Sequence, residues 1–142
     1  MTDSKKNERI ERRKRLLEAR ADEVEKINID VRERLLFLLY IKVTHSGRYE
    51  YLEKRYGISA RRWQNLCNRA QMPGIDMLSS ILKDHKEYAS WVLFGEAHNT
   101  NQINPTEQYP IDLTIEGWEG EVDKIDEARV LNNIKKNTRT NP

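Results

Sequence analysis

The sequence predicts an all-α fold. Three observations carry the prediction. Apolar residues recur at helical spacing through most of residues 30–95. Start and stop signals punctuate that stretch: Asp30-Val31-Arg32-Glu33, Ser59, Met72-Pro73-Gly74 and Gly95. A single stretch, residues 111–115, alternates with the period of two that a strand requires, and it falls outside the apolar core. The expected organisation is a charged helical arm over residues 1–29, a five-helix domain over residues 30–95, and a linker followed by a C-terminal strand and helix over residues 96–142.

From the arm into the first core helix, Ile10, Leu17, Val24, Val31 and Leu38 recur every seven residues. Ile27 and Ile41 fall three positions after two of them, as the second seam position of a coiled coil does. Arg13 and Arg20 hold the earlier companion positions, so the seam is poor towards the N-terminus. Two readings stand side by side: a helix that pairs with a partner chain, and a solvated helix whose narrow apolar stripe buries little. Lys5, Lys6, Arg9, Arg12, Arg13, Lys14 and Arg15 have the charge to touch phosphate. The interleaved Glu8, Glu11 and Glu18 favour a solvated face. Asp30 and Glu33 fit a capping box that opens the first core helix, either afresh or in continuation of the arm. That helix carries the run Leu35-Leu36-Phe37-Leu38-Leu39-Tyr40-Ile41 and is expected to end near residues 45–47.

Residues 49–68 read as two short helices joined by a tight turn. Gly57 sits where the backbone needs positive φ. Tyr51, Leu52, Tyr56 and Ile58 supply apolar contacts around the turn, and Ser59 can N-cap the second helix. Trp63 and Leu66 share its inner face. Arg61, Arg62, Gln64, Asn65, Asn68 and Arg69 are left on the other faces. Arg, Gln and Asn are the side chains that pair with base edges in the major groove, so the pattern is that of a helix-turn-helix with a recognition helix.

Residues 49–68 resemble the helix-turn-helix of lambda-type phage repressors. Met72-Pro73 and Tyr88-Ala89-x-Trp91-Val92-Leu93-x-Gly95 resemble the continuation of such CI-like prophage repressor domains, so the likeness covers residues 31–95. It implies a lambda-repressor-like domain and a sequence-specific, double-stranded-DNA-binding transcriptional regulator acting as a homodimer. It also implies that Ser59, Ala60, Arg61, Gln64 and Asn65 face the bases and that Tyr49 touches phosphate. Arg48, Arg62 and Arg69 join the phosphate candidates on charge and placement. One departure stands out. The family places Ala or Gly where this chain has Glu53, so either the two helices splay or Glu53 leans outward.

Beyond the motif, Ile75, Leu78, Ile81 and Leu82 recur at helical spacing up to about His85, and residues 87–94 give a fifth helix that Gly95 stops. The expected core is Leu35, Leu38, Leu52, Ile58, Trp63, Leu66, Leu78, Ile81 and Trp91. Residues 96–110 read as a linker, with Pro105, Pro110 and an Asn-rich stretch. Ile111, Leu113 and Ile115 form the strand pattern. Val122, Ile125, Ala128, Leu131 and Ile134 form a last amphipathic helix. A lone strand invites pairing across a two-fold axis, so this segment is an expected dimer contact.

Charge is unevenly placed. Residues 44–71 carry Arg48, Lys54, Arg55, Arg61, Arg62 and Arg69 against Glu50 and Glu53, whereas residues 72–142 are net acidic. The positive charge thus sits on the motif and the arm, where phosphate contacts are needed. One Cys excludes an internal disulfide and fits a reducing cytoplasm. No apolar run spans a bilayer, and no apolar signal segment follows the charged N-terminus. His45, His85, His98 and Cys67 lack the paired spacings of a zinc site. The acidic residues 116–127 lack a calcium-type loop. Trp63 and Trp91 are read as core, and Cys67 as a small filler. No enzyme constellation, metal or cofactor is expected. The rival to the DNA reading is a protein-interaction adaptor or antitoxin-like partner that keeps the same core as scaffold, with a protein partner on the arm or the C-terminal segment.

Overall fold

The computed structural model describes residues 2–125, and all of its regular structure is helical. The helices are α1 (Thr2–Lys42), α2 (Arg48–Tyr56), α3 (Ala60–Cys67), α4 (Ile75–Asp84), α5 (Ala89–Phe94) and α6 (Pro105–Gln108), with a 3₁₀ turn at Lys86–Tyr88 ahead of α5. Residues 119–125 are also helical. None of the described helices is long and apolar enough to cross a membrane.

The chain divides into two units, Met1–Asp30 and Val31–Pro142. In the first, residues 3–28 are exposed on every face of the helix. Asp30 does not begin a helix. It lies inside α1, because nothing between the arm and the apolar run breaks the backbone hydrogen bonding: residues 2–42 contain neither Gly nor Pro.

The second unit is built on residues 35–41 of α1, all of them buried. A helix that is apolar all round must be covered on every side. Leu52 of α2, Trp63 and Leu66 of α3, Met77 and Ile81 of α4, and Trp91 and Val92 of α5 join that core. The phase of α4 differs from the expected stripe. Met77 is fully buried, Leu78 and Leu82 lie at the margin, and Ile75 is 84% exposed. Arg34 fixes the end of α5: its Nε donates to the Val92 carbonyl at 2.8 Å, and its Nη2 to that of Leu93 at 3.4 Å. These carbonyls have no partner within the helix, which Gly95 ends at φ 79°.

The C-terminal expectations are corrected. Residues 96–110 are stitched into the unit and do not form a linker. Gln102 accepts a bond from the Ser90 amide at 2.9 Å and donates to the Lys86 carbonyl at 3.0 Å, and the Ile103 amide donates to Glu87 at 2.7 Å. Asn104 caps α6, accepting from the Thr106 amide at 3.0 Å, with Pro105 in the first turn. Residues 111–115 form no strand. Asp112 Oδ1 accepts from both the amide and the hydroxyl of Thr114, at 2.9 and 2.6 Å, and so closes a turn. Ile111 and Leu113 pack at the margin of the core. Without a neighbouring strand to pair with, the alternation has no ladder to join.

Trp118 completes the cover. Its ring meets Phe37 at 5.8 Å and Tyr40 at 5.6 Å, and Phe37 meets Trp91 at 5.9 Å. Val122, one helical turn later, is also buried. The last helix begins by residue 119, earlier than expected, and its expected positions 126–134 lie outside the described residues. Trp118→Ala is expected to lower unfolding free energy by about 3–5 kcal/mol, the range for deleting a buried aromatic. Urea unfolding measures this, and a midpoint equal to wild type would mean that residues 111–125 do not belong to the core.

Candidate nucleic-acid interface

Local chemistry explains how α3 is held. Gly57 adopts φ 70° and ends α2, its amide donating to Glu53 O at 2.9 Å. Ser59 then caps α3, its hydroxyl accepting from the Arg62 amide at 3.4 Å. Trp63 is wholly buried, and its indole N–H donates to the Ile58 carbonyl at 3.1 Å, so the helix is pinned to the turn that precedes it. The Tyr56 ring lies 5.8 Å from that of Trp63. Tyr56 and Arg55 both bond Asp84 Oδ2, at 2.7 and 2.9 Å, tying α2 to α4. These two bonds hold the Asp84 carboxyl below the ordinary carboxylate range. Glu53 is exposed, so of the two alternatives it is the outward lean that occurs.

The expected base-facing residues sit on or beside this helix. Ser59, Arg61 and Gln64 are exposed, and Ala60 and Asn65 are partly so. Among the described residues, the side chains of Arg61, Gln64 and Asn65 have no hydrogen-bond or ion-pair partner. Their donors and acceptors are open to solvent on a helix whose inner face is fixed.

The expected phosphate contacts fare differently. Arg48 is buried, with its guanidinium 4.2 Å over the Tyr40 ring and Nη2 donating to the Val43 carbonyl at 2.9 Å. It satisfies a carbonyl just past the end of α1 and does not face solvent. Arg69 adopts φ 61° after α3, and its Nε donates to Glu33 at 2.8 Å. It also pairs with Glu119, and its guanidinium lies 5.7 Å over the Trp118 ring. Both arginines are thus taken from the phosphate role expected of them. Arg62 makes a two-pronged pair with Asp76, at 2.6 and 2.9 Å, on the exposed surface. That pair holds the Asp76 carboxyl below its ordinary range. Tyr49 is partly buried at the start of α2 and packs against the core.

Cys67, the last residue of α3, is buried beside the Tyr40 and Tyr49 hydroxyls. Burial pushes its thiol up, so it is held as a neutral filler and a poor nucleophile. Burial likewise raises the Tyr40 phenol above its usual value. Among the described residues no group of His, Cys, Asp and Glu could hold a metal ion. A shallow cleft of about 460 Å³ lies beside Arg69, lined by Glu33, Trp118, Glu119 and the turn at residues 113–117. Sequence reasoning missed Glu33, Asp76 and Glu119, the acids that engage Arg62 and Arg69. No local signal marks them, since 14 to 50 residues separate the paired side chains.

No protein-family model, curated protein or solved structure matches this chain.

Arg69→Ala leaves Glu33 and Glu119 without their shared cation. Stability is expected to fall by about 1–3 kcal/mol, the cost of stranding partly buried acceptors, and thermal melting measures it. An unchanged melt would return Arg69 to the surface and to the phosphate candidates.

Proposed function

We propose that the chain is a sequence-specific, double-stranded-DNA-binding regulator of transcription, of the phage-repressor type, acting in the cytoplasm as a homodimer. Residues 31–95 would form a lambda-repressor-like five-helix domain, with α2 and α3 as its helix-turn-helix. One observation carries the reading. Among the described residues, Arg61, Gln64 and Asn65 stand without partners on the outer face of a helix that Trp63 and Ser59 tie to the preceding turn. A base-reading helix needs this arrangement: donors and acceptors that match purine edges, fixed by a scaffold before contact. The resemblance of residues 49–68 to lambda-type repressors supports the same assignment.

In this reading α3 enters the major groove. Ser59 and Ala60 bring its N-terminal turn against the bases. Arg61 pairs with guanine, and Gln64 or Asn65 with adenine. Tyr49 touches the phosphate backbone from the start of α2. Arg62 does so after exchanging Asp76 for a phosphate oxygen, which is open to it because the pair lies at the surface and a phosphate offers the same two-pronged geometry. Arg48 and Arg69 are left out of the interface. No cofactor and no catalytic step are part of the proposal.

Selection of bound fragments from random duplex DNA tests the reading. A recovered palindrome is the expected result, and failure to enrich any sequence would favour the adaptor reading instead. Once a site is known, Arg61→Ala or Gln64→Ala should weaken specific binding by about 1–3 kcal/mol, with melting unchanged. Equal loss on random DNA would remove these side chains from base recognition.

A further inference from the structure

We propose that residues 6–28 form a parallel two-stranded coiled coil with a second copy of this chain. The argument starts from exposure. Ile10, Leu17 and Val24 lie seven apart in α1 and are 46%, 56% and 51% exposed, so among the described residues an exposed apolar stripe runs along the helix.

Two heptad registers can use that stripe. If the companion seam position lies three residues later, Arg13, Arg20 and Ile27 fall into the seam, with two charges among its three companions. If it lies four residues later, Lys14, Ala21 and Asn28 fall there, with Asn7 ahead of Ile10. The second register places the smallest of these side chains at the centre of the seam. Asn at such positions favours a defined register over tighter but less specific association. Lys14 can lay its stem along the seam and lift its ammonium towards Glu11 and Glu18, three before and four after it on the same helix.

The flanking charges then choose the partner and the direction. In the second register, Lys6, Arg13 and Arg20 occupy the positions on one side of the seam, and Glu11, Glu18 and Glu25 those on the other. In a parallel pair, each residue of the first set faces the residue five positions later on the partner helix. Lys6 then meets Glu11, Arg13 meets Glu18 and Arg20 meets Glu25. Each contact occurs twice, by symmetry. Every flanking contact along these heptads joins opposite charges. An antiparallel pair would set the basic flank against itself and the acidic flank against itself. The pattern therefore complements a second copy of the same sequence in one orientation. The seam is thin, with three large apolar residues per helix, so the association is reversible and concentration-dependent.

This interface uses no residue of α3 and does not rest on the DNA reading, although it would supply the pairing that a palindromic site requires. It also moves the dimer contact away from residues 111–115, which form no strand.

The test uses the full-length chain without DNA. Sedimentation equilibrium should show the wild type rising with concentration towards twice its 16.9 kDa mass. The triple variants E11K/E18K/E25K and K6E/R13E/R20E should each remain at the single-chain mass, because all flanking contacts become like-charged. An equimolar mixture of the two should recover the double mass, since each then complements the other. Ala21→Cys should cross-link two copies on oxidation, because seam positions face their own equivalents only in a parallel pair. A monomeric wild type, dimeric triple variants, a monomeric mixture or the absence of the cross-link would each overturn the proposal. A monomeric wild type that still selects a DNA sequence would remove this interface and leave the reading of α3 intact. A dimer that selects no DNA would do the reverse.

Discussion

The second unit depends on one constraint: residues 35–41 of α1 present apolar side chains in every direction. A stripe can be covered by one neighbour, but a cylinder cannot. The helices α2 to α5 supply most of the cover. Trp118 and Val122 add to it, and the chain delivers them through α6 and the turn at Asp112. The capped, hydrogen-bonded course of residues 96–118 serves that end. It is held to the unit through Gln102, Ile103 and Asn104 and returns an indole ring to Phe37 and Tyr40. Trp118 in turn underlies Arg69, whose two acidic partners come from α1 and from the helix that follows Trp118. The end of α3 is therefore anchored through the same C-terminal segment that closes the core.

What the sequence made legible was local. Gly57, Ser59 and Trp63 each act within a few residues of themselves: a positive φ, a cap, an indole bonded to a carbonyl five residues back. Such signals survive in one dimension. The stripe of α4 was legible in kind but shifted in phase, because Met77 is as good a core residue as Leu78 and only packing chooses between them. The strand expected at residues 111–115 shows the opposite limit. Five alternating residues satisfy a strand pattern, yet a strand exists only through its neighbours. Asp112 offered the backbone a local alternative that the period-two count does not register.

The charged residues carry the same lesson. Six basic residues around α2 and α3 look alike in sequence. In the fold they separate by partner. Arg48 closes the gap after α1, Arg69 binds two acids, Arg55 and Arg62 each hold one, and Lys54 and Arg61 hold none among the described residues. Charge density along the chain therefore overstates the positive field available to a ligand, because acids distant in sequence neutralise part of it.

A solvated helix face and a recognition face have the same composition, so composition cannot separate them. What separates them is order. A side chain that reads a base must lose little freedom on binding, which requires its backbone to be fixed beforehand. In α3 the fixing is done by residues that never face outward: the Ser59 hydroxyl at one end, the buried Trp63 and Leu66 in the middle, and Arg69 with its acids just beyond the other end. An eight-residue helix gains little stability from its own hydrogen bonds. Restraint at both ends and along the inner face exceeds what displaying three polar residues to water would call for. That restraint fixes the backbone from which Arg61, Gln64 and Asn65 project, which is what the proposed contact with a DNA groove requires.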